Sequence, residues 1–146
     1  MGDRGNVVVV SSHPSPTGPV RRPVYLYSHW GGSELPLDVR RALNRRERWD
    51  DSAFLARIIF GEMIPADYFR TTTGFGISPF ISDNERAFVV VEDGRVRFVP
   101  YKVFHSLKTQ LDNDGVPVGE GPSWTFDEYC ALSEETLLNA FNPRET

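Results

Sequence analysis

Apolar and polar positions change period several times along the chain, and those changes divide it into elements. Val7 to Ser11 and Val24 to Ser28 are β-branched or aromatic runs that predict strands. Between them stand Pro14, Pro16, Gly18, Pro19 and Pro23, a spacing no helix tolerates, so residues 12–23 are expected to form an exposed extended loop. Side chains alternate along a strand. Val24, Leu26 and Ser28 therefore share one face of the second strand, and Tyr25, Tyr27 and His29 share the other.

After the break at Trp30-Gly31-Gly32-Ser33 the period becomes helical. Leu35, Val39, Ala42 and Leu43 recur on one face, Pro36 suits a first turn, and Ser33 is the expected cap. The other face carries Arg40, Arg41, Arg45 and Arg48. A second helix follows Trp49-Asp50-Asp51, with Asp51 or Ser52 as cap, and runs to about Ile64. Phe54, Leu55, Ile58, Ile59, Phe60 and Met63 occupy most of its circumference, which predicts burial on several sides.

Pro65 and Thr71-Thr72-Thr73-Gly74 end the helical part, and the pattern turns strand-like over Phe75 to Ile81, Ala87 to Glu92 and Val96 to Val103. Asp93-Gly94 is a strong hairpin signal, and Ser82-Asp83-Asn84-Glu85 is a less regular turn. These runs predict a three-stranded antiparallel meander, extended by the N-terminal strands into a sheet of four or five. Asp112 to Ser123 reads as an exposed loop. Thr125-x-x-Glu128 opens a short helix through Ala131, and Ser133-x-x-Thr136 opens another through about Phe141. The expectation is an α+β fold, one domain over residues 1–146, with the two central helices and the short C-terminal helices on a single core.

Composition narrows the class of protein without naming a reaction. With 146 residues, 40% hydrophobic and 25% charged, the chain can bury one core without a metal or disulfide staple. The lone Cys130 has no disulfide partner within the chain and reads as a small buried hydrophobe. No apolar run approaches the length of a membrane span, and Val7 to Val10 is too short for a secretory signal, so a cytoplasmic protein without membrane contact is expected. The net charge of −4 divides unevenly, +2 over residues 1–70 and −6 over the remainder. Net acidity argues against broad nucleic-acid affinity, although five arginines between Arg40 and Arg48, with Arg21 and Arg22, could neutralise phosphates or simply form a solvated face.

Candidate chemistry concentrates in Tyr25-Leu26-Tyr27-Ser28-His29-Trp30-Gly31-Gly32. Aromatic faces can stack a base, imidazole and phenol can hydrogen-bond, and amides exposed at Gly31-Gly32 can hold a phosphate. The same residues could instead be core aromatics followed by a turn. Arg57, amid apolar neighbours, needs either a carboxylate partner or a ligand. Thr73, Ser78 and Asn84 could hydrogen-bond a ligand over the sheet, while Gly74-Phe75-Gly76 lacks the third glycine and the strand-to-helix context of a dinucleotide fingerprint.

Enzyme signatures are sparse. The chain has no Walker A loop, no His-Glu-x-x-His, no Gly-x-Ser-x-Gly and no Cys-x-x-Cys, and His13, His29 and His105 lack metal-ligand spacing. No metal and no cofactor is expected. His29 with Asp50, Asp51, Asp83 or Glu85 could make an acid–base pair only if the fold brings them together.

The series Tyr25 to Gly32, Arg48-Trp49-Asp50-Asp51, Leu55-Ala56-Arg57-Ile58-Ile59-Phe60, Thr73 to Ser78 and Asp83-Asn84-Glu85 resembles a family of small uncharacterised proteins encoded by phages, prophages and bacterial genomes. The resemblance covers residues 24–92 and Trp124 to Glu128. It implies a mobile-element setting, in which small proteins without enzyme motifs often act by binding.

Combined with the aromatic and basic residues, it leads to the expectation of an anti-defence sponge that sequesters a nucleotide-derived signal without turnover. In that reading Tyr25, Tyr27 and Trp30 flank the base, with Gly31 at the turn. His29, Arg57 and Thr73 contact phosphate or ribose, and Asp83 and Asn84 read polar edges. The alternatives are an inhibitor or adaptor that binds a host protein through the same residue types, and a nucleotide hydrolase using His29. A homo-oligomer that encloses the ligand between protomers is compatible with each.

Overall fold

A computed structural model describes residues 2–64, 74–81, 83–101 and 111–142. The fold is α+β, an open six-stranded sheet with four helices. The strands are β1 (Gly5–His13), β2 (Val20–Ser28), β3 (Phe75–Ser78), β4 (Phe88–Glu92), β5 (Arg95–Val99) and β6 (Ser123–Thr125). The helices are α1 (Leu35–Asn44), α2 (Ser52–Met63), α3 (Phe126–Ala131) and α4 (Glu134–Phe141). Among the described residues no helix is long and apolar enough to cross a membrane.

The sheet order is β3-β2-β1-β4-β5-β6, and every neighbouring pair is antiparallel except β1 with β4. The expected meander is therefore corrected. The β4–β5 hairpin forms at Asp93-Gly94, but β3 pairs with β2 at the far edge of the sheet rather than with β4. Burial supplies the reason: Val7 to Val10 and Phe88 to Val91 are apolar on both faces and take the two central positions, which displaces the half-buried β3 outward. The sheet also gains β6, between the expected loop, which ends at Ser123, and the cap of α3 at Thr125.

The exposed loop expected over residues 12–23 is shorter in the structure. Pairing of β1 with β2 continues through Val10↔Pro23 and Ser11↔Arg22 to His13↔Val20. Pro23 is admissible because β3 covers β2 only over Tyr25–Ser28, so its outer side at Pro23 is a sheet edge. The Asp112 to Ser123 segment is likewise only partly exposed: Val116 is fully buried, and Leu111 bridges Pro117.

One face of the sheet carries the main core. Val7, Val9, Leu26, Val89, Val91, Val96 and Phe98 pack there against Leu35, Val39 and Leu43 of α1, Leu55 and Ile59 of α2, Tyr129 of α3 and Leu137 of α4. The opposite face holds a second, smaller cluster that the pattern did not predict, built from Val8, Val10, Tyr25, Phe88, Val90, Val99 and Val116. Helix starts follow the expected chemistry at three of four positions. Asp51 caps α2 by accepting from the Phe54 amide, Thr125 and Glu128 form a capping box on α3, and Ser133 caps α4. α1 differs: a 3₁₀ turn over Gly32–Glu34 leads into it, and the Ser33 hydroxyl is spent on Asp3. Nor is α2 buried all round, since Leu55, Ile59 and Met63 face the core while Phe54 and Arg57 are exposed.

A half-buried carboxylate ties the sheet ends together. Glu92 accepts from Arg21 Nε at 2.7 Å and Nη2 at 2.9 Å, and from Arg97 Nη1 at 3.1 Å. Arg21 also donates to Asp112 at 2.8 Å, which fastens the 111–117 loop to β2. The Arg21 bonds, outweighing burial, hold the Glu92 carboxyl below its ordinary value of 4.5. A depressed folded-state value gives stabilisation that is complete above pH 4.5 and lost as pH falls through the folded-state value. In acid titrations of unfolding free energy, Glu92→Gln should therefore flatten the decline below that pH. Identical slopes for variant and wild type would exclude Glu92 as a source of acid sensitivity.

Candidate ligand-binding site

The N-terminal residues, the end of β2 and residues 83–86 converge at one end of the sheet. Asp3 is the hub of the backbone there. Its amide donates to His29 O at 2.7 Å, and its carbonyl accepts from the Gly32 amide at 2.8 Å. Its carboxylate accepts from the Ser33 amide and hydroxyl and from Arg86 Nε at 2.7 Å. Burial alone would raise the Asp3 carboxyl, but the Ser33 and Arg86 bonds together hold it below the usual range. Gly32 is required for this close approach, because a Cβ on it would lie 2.7 Å from Asp3 O.

Residues 83–86 strap across the start of β1. Arg4 donates from its amide to Glu85 Oε1 and from Nη1 to Asp83 Oδ2, both at 2.7 Å, and its carbonyl accepts from the Glu85 amide at 3.1 Å. The Arg4 amide and guanidinium keep the Glu85 carboxyl below its usual range. Two positions along, fully buried Asn6 donates from Nδ2 to Asp83 O at 2.7 Å and to Asn84 Oδ1 at 3.1 Å. Asn84 in turn donates to Arg86 O.

Tyr27 lies opposite Asn6 on β2. Its hydroxyl is 2.8 Å from His29 Nδ1, and burial, reinforced by Asp83, pushes the phenol up, so Tyr27 keeps its proton at neutral pH. Either partner of that bond can be the donor, according to the imidazole tautomer. His29 Nε2 stands beside Gly2. Trp30 meets His29 edge-on, with ring centroids 4.8 Å apart at 86°. Its indole also lies against the backbone of Gly74, where a Cβ would sit 2.3 Å from the ring. Held on both sides, Trp30 is nevertheless 58% exposed. Gly2, Arg4, His29 and Glu85 line a cleft of about 440 Å³ at this point.

Tyr27, His29 and Trp30 touch in series at the end of β2, and Asp83 and Asn84 reach the same end of the sheet through Arg4 and Asn6, but of these five only His29 lines the cleft. Gly31 sits at the neck, but its amide donates to Ser28 Oγ at 2.9 Å and the Gly32 amide to Asp3 O, so neither is available for the expected phosphate contact. Tyr25 does not join them. It shares the Tyr27 face but belongs to the second core, edge-on to Phe88 with its hydroxyl donating to Gly115 O, because the 111–117 loop covers that part of the sheet. Arg57 is exposed on α2 and does not line the cleft, which corrects both the buried ion pair and the ligand clamp. Thr73 lies outside the described residues.

The remaining arginines of the α1 region are largely engaged by the protein itself. Arg40 donates to Leu132 O, Arg46 pairs with Asp127 and covers Trp49, and Arg48 covers Phe54. Pattern reading missed Asp3, Arg4, Asn6 and Arg86. Asn6 carried the available signal, since a lone amide at the head of the Val7 to Val10 run is a buried polar group that needs partners. Among the described residues no group of three or more His, Cys, Asp or Glu could hold a metal ion. Burial pushes the Cys130 thiol up, away from nucleophilic reactivity.

Comparison with protein-family models, curated proteins and solved structures finds no match to this chain.

Proposed function

We propose that this protein binds a nucleotide-derived small molecule in the cleft beside His29 and Trp30 and holds it without turnover. The observation that carries this reading is Trp30: a large aromatic, fixed by His29 on one side and Gly74 on the other, keeps more than half its surface in solvent beside an open cleft. A fixed, exposed indole is a stacking platform whose ordering cost is already met. The His29 imidazole and the Arg4 guanidinium supply polar groups for ribose or phosphate oxygens, and Arg4 takes the place that sequence reading gave to Arg57. The resemblance to phage- and prophage-encoded proteins gives such binding a use, the sequestration of a host signal.

Native mass spectrometry with a panel of linear, cyclic and ADP-ribose-derived nucleotides should recover one of them intact with the protein. Trp30→Ala should weaken that binding by roughly tenfold to a hundredfold while leaving the unfolding midpoint unchanged, given that base–aromatic stacking is worth about 1–3 kcal/mol. Release of a chemically converted ligand would replace the sponge with an enzyme. Undiminished affinity in Trp30→Ala would remove the stacking role.

A second reading draws on the far edge of the sheet. Ile77 on edge strand β3 is 61% exposed and Phe80 just beyond it is 75% exposed. A strand at a sheet edge that bears exposed apolar side chains is a surface on which another protein can dock. This favours an inhibitor or adaptor acting on a host protein, and Ile77→Lys with Phe80→Ser would abolish that activity without touching the cleft.

A further inference from the structure

A second cleft, of about 380 Å³, opens where β1 and β4 separate. Their parallel pairing ends at Val9↔Val91: β1 runs on beside β2 to His13, while β4 turns back through Asp93-Gly94 into β5. The start of α2 lines the gap and is tied to β1 by the Ser11 and Ser52 hydroxyls, 2.6 Å apart. This cleft shares no residue with the one at His29.

Its lining divides into an apolar wall and an acidic rim. Val9, Leu55, Val91 and Phe126 belong to the main core, and Trp49 packs against it. The indole is fixed, with Nε1 donating to Leu43 O at 3.0 Å and Phe126 meeting the ring edge-on at 5.3 Å. The charged residues of the lining are Asp50, Glu92 and Asp93, with no Lys, Arg or His among them. Glu92 is already matched by Arg21 and Arg97, as Ser52 is by Ser11. Asp50 and Asp93 differ: both are exposed, and neither carboxylate has a hydrogen-bond or ion-pair partner among the described residues.

We propose that this cleft binds an aliphatic diamine in its doubly protonated form, with one ammonium group at Asp50, the other at Asp93 and the alkyl chain on the Trp49 wall. The two carboxylates come from separate elements, the turn before α2 and the β4–β5 turn, so each meets one end of the ligand. The methylenes between the charges cover apolar surface while the ammonium groups stay at the wet rim, as a lysine side chain does on a protein surface. Anions are repelled by the rim, and a compact hydrated metal ion makes no use of the wall. A cleft of this volume suits a small molecule. The site is independent of the nucleotide reading above.

Calorimetric titration of the full chain at constant ionic strength would compare diaminobutane with butylamine and with magnesium chloride. The expected result is saturable binding of diaminobutane, with butylamine weaker by about threefold to tenfold for the lost ion pair. Asp50→Asn and Asp93→Asn should each bind diaminobutane no better than the wild type binds butylamine. Both positions are exposed, and asparagine tolerates the φ of 50° at position 93, so unfolding midpoints should stay at the wild-type value. Trp30→Ala, altered at the other cleft, should bind diaminobutane as the wild type does. No saturable binding, equal affinity for diaminobutane and butylamine, displacement by an equal concentration of magnesium, or undiminished binding in either aspartate variant would each overturn the site. None of these outcomes bears on nucleotide binding, which is tested separately at Trp30.

Discussion

Phe98→Ala is expected to cost about 3–5 kcal/mol of stability, the range for deleting a buried aromatic from a packed core. Phe98, on β5, is 2% exposed and meets three other rings edge-on. Trp124 of β6 lies 5.0 Å away, Phe141 of α4 5.2 Å and Tyr129 of α3 6.1 Å. One side chain thus joins the sheet to both C-terminal helices. The hole left by alanine cannot close without moving α3 and α4, and α3 is also anchored by the Tyr129 hydroxyl donating to Pro36 O at 2.7 Å. For a domain with about 5–15 kcal/mol in total, this is a large fraction. Urea unfolding should show the midpoint falling at unchanged slope, with Phe98→Leu recovering most of the loss. A cost below about 1 kcal/mol would mean that the cluster repacks freely and that Phe98 does not hold the C-terminal helices.

Gly32→Ala is the second large effect, and it separates the site from the core. The added Cβ would stand 2.7 Å from Asp3 O, 2.9 Å from Arg4 C and 2.9 Å from Gly5 N. All three are backbone atoms, so no rotamer relieves the contact. The chain over residues 3–5 must move away, breaking the Gly32 amide bond to Asp3 and carrying Arg4 out of register with Asp83 and Glu85. A loss of about 1–3 kcal/mol is expected from the overpacking, with ligand affinity falling much further than stability. Gly31→Ala is the control, because its Cβ would meet only Ser28 Oγ, at 3.0 Å. Hydrogen exchange at Asp3 and Gly32 together with ligand titration would check the pair of variants. Wild-type affinity in Gly32→Ala would show that the N-terminal segment does not shape the cleft.

Local chemistry was legible wherever one short stretch carries its own physics. The caps at Asp51, Thr125 and Ser133 depend on one side chain and an amide a few residues away, and each is visible in sequence and present in the structure. The Asp93-Gly94 turn is equally local: Asp93 and Gly94 both take positive φ, at 50° and 73°, as a two-residue hairpin of this kind requires. Ser33 is the instructive exception. It has the right residue type at the right distance from a helix, yet its hydroxyl serves Asp3, thirty residues earlier in the chain.

The α+β class, the helices and the alternation that puts Tyr27 on one face and Leu26 on the other were determined by the sequence alone, because period and capping are properties of neighbouring residues. Strand order was decided only by the tertiary structure. Phe75 to Ser78 and Phe88 to Glu92 look alike as runs, and only competition for the central position beside β1 sends the first to the edge and the second to the middle. The candidate site divides the same way. His29 and Trp30 announce themselves through residue type, whereas Arg4 and Asn6 acquire meaning only when Asp83, some eighty residues away, bonds both of them. Hydrogen bonds between distant segments leave no period in a sequence, so the residues they join become visible as partners only once the chain has folded.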